Sequence, residues 1–124
     1  MCNILISIKP KFVEKILNGS KKYEYRKIKC KHNVDKIIIY STSPIMKVVG
    51  EAKVEKILED TPDNLWEKTK NYSGIDFEFY SKYFKNRSNA IAYKLTDVKK
   101  YDEPKELACY GVKSAPQSFV YLEK

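Results

Sequence analysis

Ile4-Leu5-Ile6-Ser7-Ile8 reads as a first strand at 4–8, with Ile4, Ile6 and Ile8 sharing one apolar face. Lys9 ends that strand. Pro10 opens a helix, where a missing N–H does no harm, and the helix runs to about Asn18. Phe12, Val13, Ile16 and Leu17 fall on one side of it as a single buried stripe. Gly19 suits the left-handed position that follows a helix C-terminus. A second strand is predicted at 21–28, then a polar, basic linker from Lys29 to Asp35. Ile37 to Tyr40 is a continuous apolar run, which reads as a strand buried on both faces, and Ser41-Thr42-Ser43-Pro44 is a turn.

A long strand is predicted at 47–58, with Gly50 marking a bulge or tight bend. Thr61 then caps a helix that starts at Pro62, carries Leu65 and Trp66, and ends near Asn71 to Gly74. Asp76 caps a further helix. The aromatics Phe77, Phe79, Tyr80, Tyr83 and Phe84 have helical spacing there, which favours core and lid packing over a stacking platform. Residues 86–89 form a loop, and a strand at 90–95 continues in charged form towards Tyr101. A turn-like segment from Pro104 to Gly111, with one helical turn at 105–109, leads to a last strand at 115–122.

This order predicts an α+β fold in one domain, residues 1–124. A small mixed β-barrel of five to six strands would have a helix after strand 1 and a helical insertion around 61–86. No repeat, low-complexity segment or inter-domain linker interrupts it.

Charge changes the picture. The net charge is +8, and it is uneven. Residues 1–36 hold ten Lys and Arg against three acids, whereas the other 88 residues hold 14 against 13. An excess gathered in one segment points to a polyanionic partner, most often nucleic acid, rather than to general solubility. Three cysteines without a Cys-x-x-Cys pair argue against a disulfide framework and for a reducing, cytoplasmic setting. Cys30 and His32 alone supply too few ligands for zinc, so no metal and no cofactor is expected. No apolar run approaches the ~20 residues of a membrane span, and no secretory leader is visible.

The candidate chemistry is concentrated in Gly19-Ser20-Lys21-Lys22-Tyr23-Glu24-Tyr25-Arg26. Alternation along a strand puts Glu24 and Arg26 on one face and Tyr23 and Tyr25 on the other. Such a set either forms an ion-pair network that only holds the barrel together, or grips a ligand carrying both donors and acceptors.

The motif Ile6-Ser7-Ile8-Lys9-Pro10, a helix, then Gly19-x-Lys21-x-x-Glu24-x-Arg26 resembles the ASCH domain, a branch of the PUA-like superfamily. Ile39 to Pro44, Val49-Gly50-Glu51-Ala52 and Pro116 to Tyr121 extend the resemblance over nearly the whole chain. It implies a barrel with flanking helices and a cleft beside the first helix. It also implies RNA or nucleotide ligands, with suggested roles in translation or transcription coactivation, and hydrolytic activity in some members.

In such a cleft Lys9 and Lys21 would meet phosphate as point charges. Arg26 would take a phosphate or a base edge, and Glu24 an exocyclic amine or ribose hydroxyl. Tyr40 and Tyr121 would stack on a base or donate a hydrogen bond, and Ser41, Ser43, Gln117 and Ser118 would supply neutral donors and acceptors. The reading is a binder of single-stranded RNA or of a nucleotide, including a modified one. Its competitors are a metal-independent ribonuclease, with Glu24 or a Tyr as base and Lys21 or Arg26 as cation, and a protein-interaction module using residues 77–84. His32 is the only histidine, which excludes a two-histidine mechanism. A further competitor is an acetylcytidine amidohydrolase similar to one branch of the family. There Lys21 matches a family lysine, but Glu24 stands where that branch has a nucleophilic Thr.

Overall fold

The computed structural model describes residues 2–122. Six strands form one curled mixed sheet: β1 (Cys2–Ile8), β2 (Tyr23–Arg26), β3 (Val34–Ser41), β4 (Lys47–Asp60), β5 (Ala90–Lys105) and β6 (Phe119–Leu122). Their order is β2-β5-β4-β3-β1-β6, with β1 and β3 parallel and the other pairs antiparallel. The result is a half-barrel with three helices, α1 (Pro10–Leu17), α2 (Pro62–Thr69) and α3 (Phe77–Tyr83).

Side-chain alternation divides the sheet between three packed clusters. Inside the curl, Ile4, Ile6 and Ile8 of β1 meet Ile37 and Ile39 of β3, Ile91, Tyr93 and Leu95 of β5, and Val13 and Ile16 of α1. The intervening residues Leu5, Ile38, Tyr40 and Val48 pack on the outer face beside Val120 and Leu122 of β6, against Leu107, Tyr110 and Val112. The third cluster joins α2 and α3 to the outside of β2 and β5 through Leu65, Tyr80, Phe84, Tyr25, Ala90 and Ala92. Alanine at 90 and 92 lets the helices approach the sheet closely.

Local signals place the helices as expected. Pro10 is the first residue of α1. The Thr61 hydroxyl accepts from the Asn64 N–H, and the Asp76 carboxylate accepts from the Phe79 N–H. At Gly50 the pairing of β3 with β4 slips by one residue. A Cβ there would lie 2.6 Å from the Lys99 carbonyl oxygen, so the close approach of β5 excludes a side chain.

Several predicted boundaries move; β3, for one, begins at Val34 inside the predicted linker. β2 covers only Tyr23–Arg26 rather than 21–28, because the Lys21 and Lys22 N–H groups bond the carbonyls of Lys15 and Tyr72 instead of a neighbouring strand. β5 extends to Lys105, pairing with β4 through three register shifts. β6 begins at Phe119 rather than 115, since the residues before it turn along the edge of β1.

Candidate functional site

The curl leaves a cavity of about 380 Å³ at the end of β1 where α1 begins. Its lining joins Ser7, Ile8 and Lys9 at the β1–α1 junction, Phe12 of α1, Lys21, Glu24 and Arg26, and Phe79 and Tyr83 of α3. Tyr25, Thr42, Ile75 and residues 115–117 complete it. The volume falls within the range of small-molecule sites, about 300–1,000 Å³.

Glu24 and Arg26 point into the curl because they sit opposite Tyr93 and Ile91 of β5, whose side chains are interior. Arg26 donates to Glu24 Oε2 from both Nε (3.1 Å) and Nη2 (2.8 Å). Nη2 also donates to the Ser7 carbonyl at 2.8 Å, and Nη1 to Ser118 Oγ at 3.2 Å. These bonds use four of the five guanidinium N–H groups. A bidentate grip of Arg26 on a phosphate, which the sequence allowed, would require breaking them. Arg26 instead orients Glu24 and joins β2 to β1 and β6. Glu24 is only 7% exposed, and among the described residues its second oxygen, Oε1, has no protein partner.

Lys21 arrives differently. It precedes β2, and its side chain runs inwards until only 2% of the residue is exposed. Its ammonium donates to the Ser73 carbonyl at 2.6 Å and lies 4.9 Å from the Tyr25 ring centroid and 5.6 Å from that of Phe12. Among the described residues no carboxylate pairs directly with it. Burial is therefore the main influence on it, opposed in part by the field of Glu24, and its pKa falls from 10.5 to about 8. The 73–75 segment fits around this side chain. Gly74 has φ +71°, and a Cβ there would sit 2.5–2.7 Å from the Lys21 methylenes. The Gly74 carbonyl also accepts from Lys15 at 3.0 Å.

The structure thus brings together Lys9, Lys21, Glu24, Arg26 and Gln117, with Ser118 reaching them through Arg26. It separates the others. Tyr40 is a buried member of the outer-face cluster, because it follows Ile39 and so faces away from the interior. Ser41 is buried outside the cavity wall, and Ser43 is exposed in the turn, while Thr42 between them reaches the cavity. Tyr121 pairs with Ile4, towards the far end of β1. There its ring meets His32 at 5.0 Å and its hydroxyl accepts from the Lys31 N–H at 2.7 Å. Neither tyrosine is positioned to stack on a ligand in this cavity.

Several lining groups had no individual sequence signal. The Ser7 hydroxyl donates to the Pro116 carbonyl at 2.7 Å, a role that its place in the Ile6 to Pro10 motif did not specify. Phe79 and Tyr83 wall the cavity while Tyr80 and Phe84 enter the core, so one helix divides its aromatics between lid and packing. Phe12 meets Phe79 edge-on, with centroids 5.3 Å apart, closing the wall between α1 and α3.

The ASCH domain model matches residues 6–107. The chain belongs to the ASCH domain family. An ASCH domain-containing ribonuclease of Zymomonas mobilis is 29% identical over 97% of this chain and 84% of its own length. The crystal structure of ASCH from Zymomonas mobilis superposes with a TM-score of 0.89 at 28% identity, covering 98% of this chain and 88% of that one. A Tyr-to-Phe mutant of the same protein gives 0.91 at 26% identity, covering 100% and 92%. In Ureaplasma parvum, proteins named ATP synthase subunit alpha and large ribosomal subunit protein uL22 are 34% and 30% identical over 97% of this chain. The chain spans only 15% and 39% of their lengths. Among the described residues of this ASCH domain, no helix is long and apolar enough to cross a membrane.

Proposed function

We propose that this ASCH domain binds single-stranded RNA and accepts one nucleotide into the cavity beside α1. The observation that carries the reading is the pairing of aromatic walls, Phe12, Phe79 and Tyr83, with Lys21 and Glu24 inside one hollow. The rings offer apolar surface to a base, while the ammonium and the open Glu24 oxygen offer a donor and an acceptor to its polar edge or to the ribose. The basic excess of residues 1–36 adds the attraction for a polyanion.

A second reading, metal-independent RNA cleavage, is favoured by the lowered pKa of Lys21 and by the name of the Zymomonas mobilis relative. An amine with a pKa of about 8 is partly neutral near physiological pH and can take a proton from a ribose 2′-hydroxyl. The 2′-oxygen would then attack phosphorus and expel the 5′-oxygen, which takes up a proton from solvent or from the Lys21 ammonium just formed, leaving a 2′,3′-cyclic phosphate and a 5′-hydroxyl. Glu24 would position the ribose. Deacetylation of acetylcytidine is less well supported, because Glu24 cannot form the acyl intermediate that a Thr would.

The test uses labelled RNA incubated with the protein in chelator. Binding without new ends supports the binder. Cleavage to cyclic phosphate ends that is lost in Lys21→Met, with affinity retained, supports the nuclease. RNA affinity unchanged by both Lys21→Met and Phe79→Ala overturns the cavity as the site.

A further inference from the structure

Lys9, Lys11 and Lys27 stand out among the exposed cations by their place at the cavity. Lys29 pairs with Glu59, Lys36 with Glu51, Lys68 with Asp60 and Lys94 with Glu55, whereas Lys22 and Lys105 lack a carboxylate among the described residues but rest on Tyr72 and Tyr101, which do not line the cavity. Among the described residues no carboxylate pairs with Lys9, Lys11 or Lys27. Each ammonium rests on an aromatic ring that lines the cavity. Lys9 lies 5.8 Å from the Phe79 centroid, and Lys11 lies 5.6 Å from Phe79 and 5.0 Å from Phe12. Lys27 lies 4.7 Å from the centroid of Tyr83. Phe79 and Tyr83 are four residues apart on α3, so the rings beneath these cations spring from points about 6 Å apart along the helix.

We infer that these three lysines hold the phosphates on both sides of the nucleotide in the cavity, so that the ligand is an internal position of a single strand rather than a free nucleotide or a chain end. The inference rests on the reading of the cavity as an RNA site and extends it to the strand outside. A free nucleotide would need one cationic position. Two, at the Lys9–Lys11 and Lys27 ends of the aromatic wall, match a strand that enters past one and leaves past the other. The rings keep the ammonium groups at the mouth without neutralising them, as a carboxylate would. Lys21, buried below, is left to the inserted nucleotide.

Binding of 2′-O-methyl pentanucleotides of each base, which resist cleavage, is compared with NMR detection of the matching uncharged nucleosides. Two neutralised phosphates predict a slope of log affinity against log salt of about −1.4, or a roughly 7-fold loss between 50 and 200 mM salt. In Lys11→Gln/Lys27→Gln the loss should shrink to about 3-fold, with nucleoside binding unchanged and the wild-type slope retained in Lys11→Arg/Lys27→Arg. An unchanged slope in the glutamine variant overturns the inference. So does a failure of every pentanucleotide to bind at 50 mM salt, or a pentanucleotide that binds no better than its nucleoside. If the slope falls as expected but Phe79→Ala leaves nucleoside binding intact, the rim stands and the cavity reading fails.

Discussion

Arg26 holds the carbonyl of Ser7 at 2.8 Å, and this bond ties β2, one edge of the sheet, to the end of β1, the strand next to the opposite edge. The same guanidinium reaches Ser118 just before β6, the opposite edge strand. The curl is therefore pinned at one end by a side chain rather than by a strand ladder, and the cavity opens where the pin is.

Replacing Arg26 with Met should leave Glu24 buried without its counter-ion and the Ser7 carbonyl without its donor. Removing one partner of a buried pair costs about 3–5 kcal/mol, and the slight exposure of this pair lowers that to roughly 2–4 kcal/mol. Urea denaturation measures it. A loss under 1 kcal/mol would mean that the pin contributes little to closure.

Lys21→Met should act in the opposite direction on stability. Holding a charged Lys21 in the fold at neutral pH costs about 3 kcal/mol, from the fall of its pKa to about 8. Met keeps the volume and sheds the charge, at the expense of the Ser73 hydrogen bond, so a net gain of about 1–3 kcal/mol is expected, together with loss of any RNA cleavage. Thermal denaturation and a cleavage assay on the same preparation check both. A destabilised variant would show that the ammonium is better compensated than its burial suggests.

The pH dependence has a definite sign. Below pH 8 the lysine is charged in both folded and unfolded chains, and its burial cost is present in full. Between about 8 and 10.5 the unfolded chain binds the extra proton, so stability rises with pH and the cost fades. The difference in unfolding free energy between Lys21→Met and wild type should therefore shrink across that window. Tyrosines common to both proteins cancel in the comparison. In the nuclease reading, cleavage should climb to a plateau with an inflection near pH 8.

Gly74→Ala tests how the helical insertion seats Lys21. A Cβ at this position meets the Lys21 stem and forces a strained positive φ. Expected are a destabilisation of about 1–2 kcal/mol and a shift in the pH inflection of cleavage, since the ammonium must leave the Ser73 carbonyl. Loss of stability with an unmoved inflection would assign Gly74 to backbone strain alone.

Much of the fold could be read from local pattern. Ile4, Ile6 and Ile8 alternate, Pro10 and Thr61-Pro62 start helices where expected, and Gly50 marks a slip between strands. Each signal depends on neighbours close in sequence. The three charged groups that meet at the cavity were legible for the same reason, since Lys21, Glu24 and Arg26 lie within six residues of one chain segment. Tyr40 and Tyr121 were not, because the choice between cavity and outer face depends on how the strand is turned in the sheet, and the choice between ends of β1 depends on register. The Ser7 and Ser73 carbonyls carry no side-chain signal at all.

The sequence by itself determined the elements, the face on which Glu24 and Arg26 lie, and the concentration of positive charge in residues 1–36, since these follow from periodicity and composition. Only the tertiary structure decided that Arg26 is spent on closing the barrel and that Lys21 is buried. Only it showed that α3 walls the cavity. Partners 19 to 92 residues apart, from Ser7 to Ser118, set those outcomes, and the curl of the sheet is what brings them together.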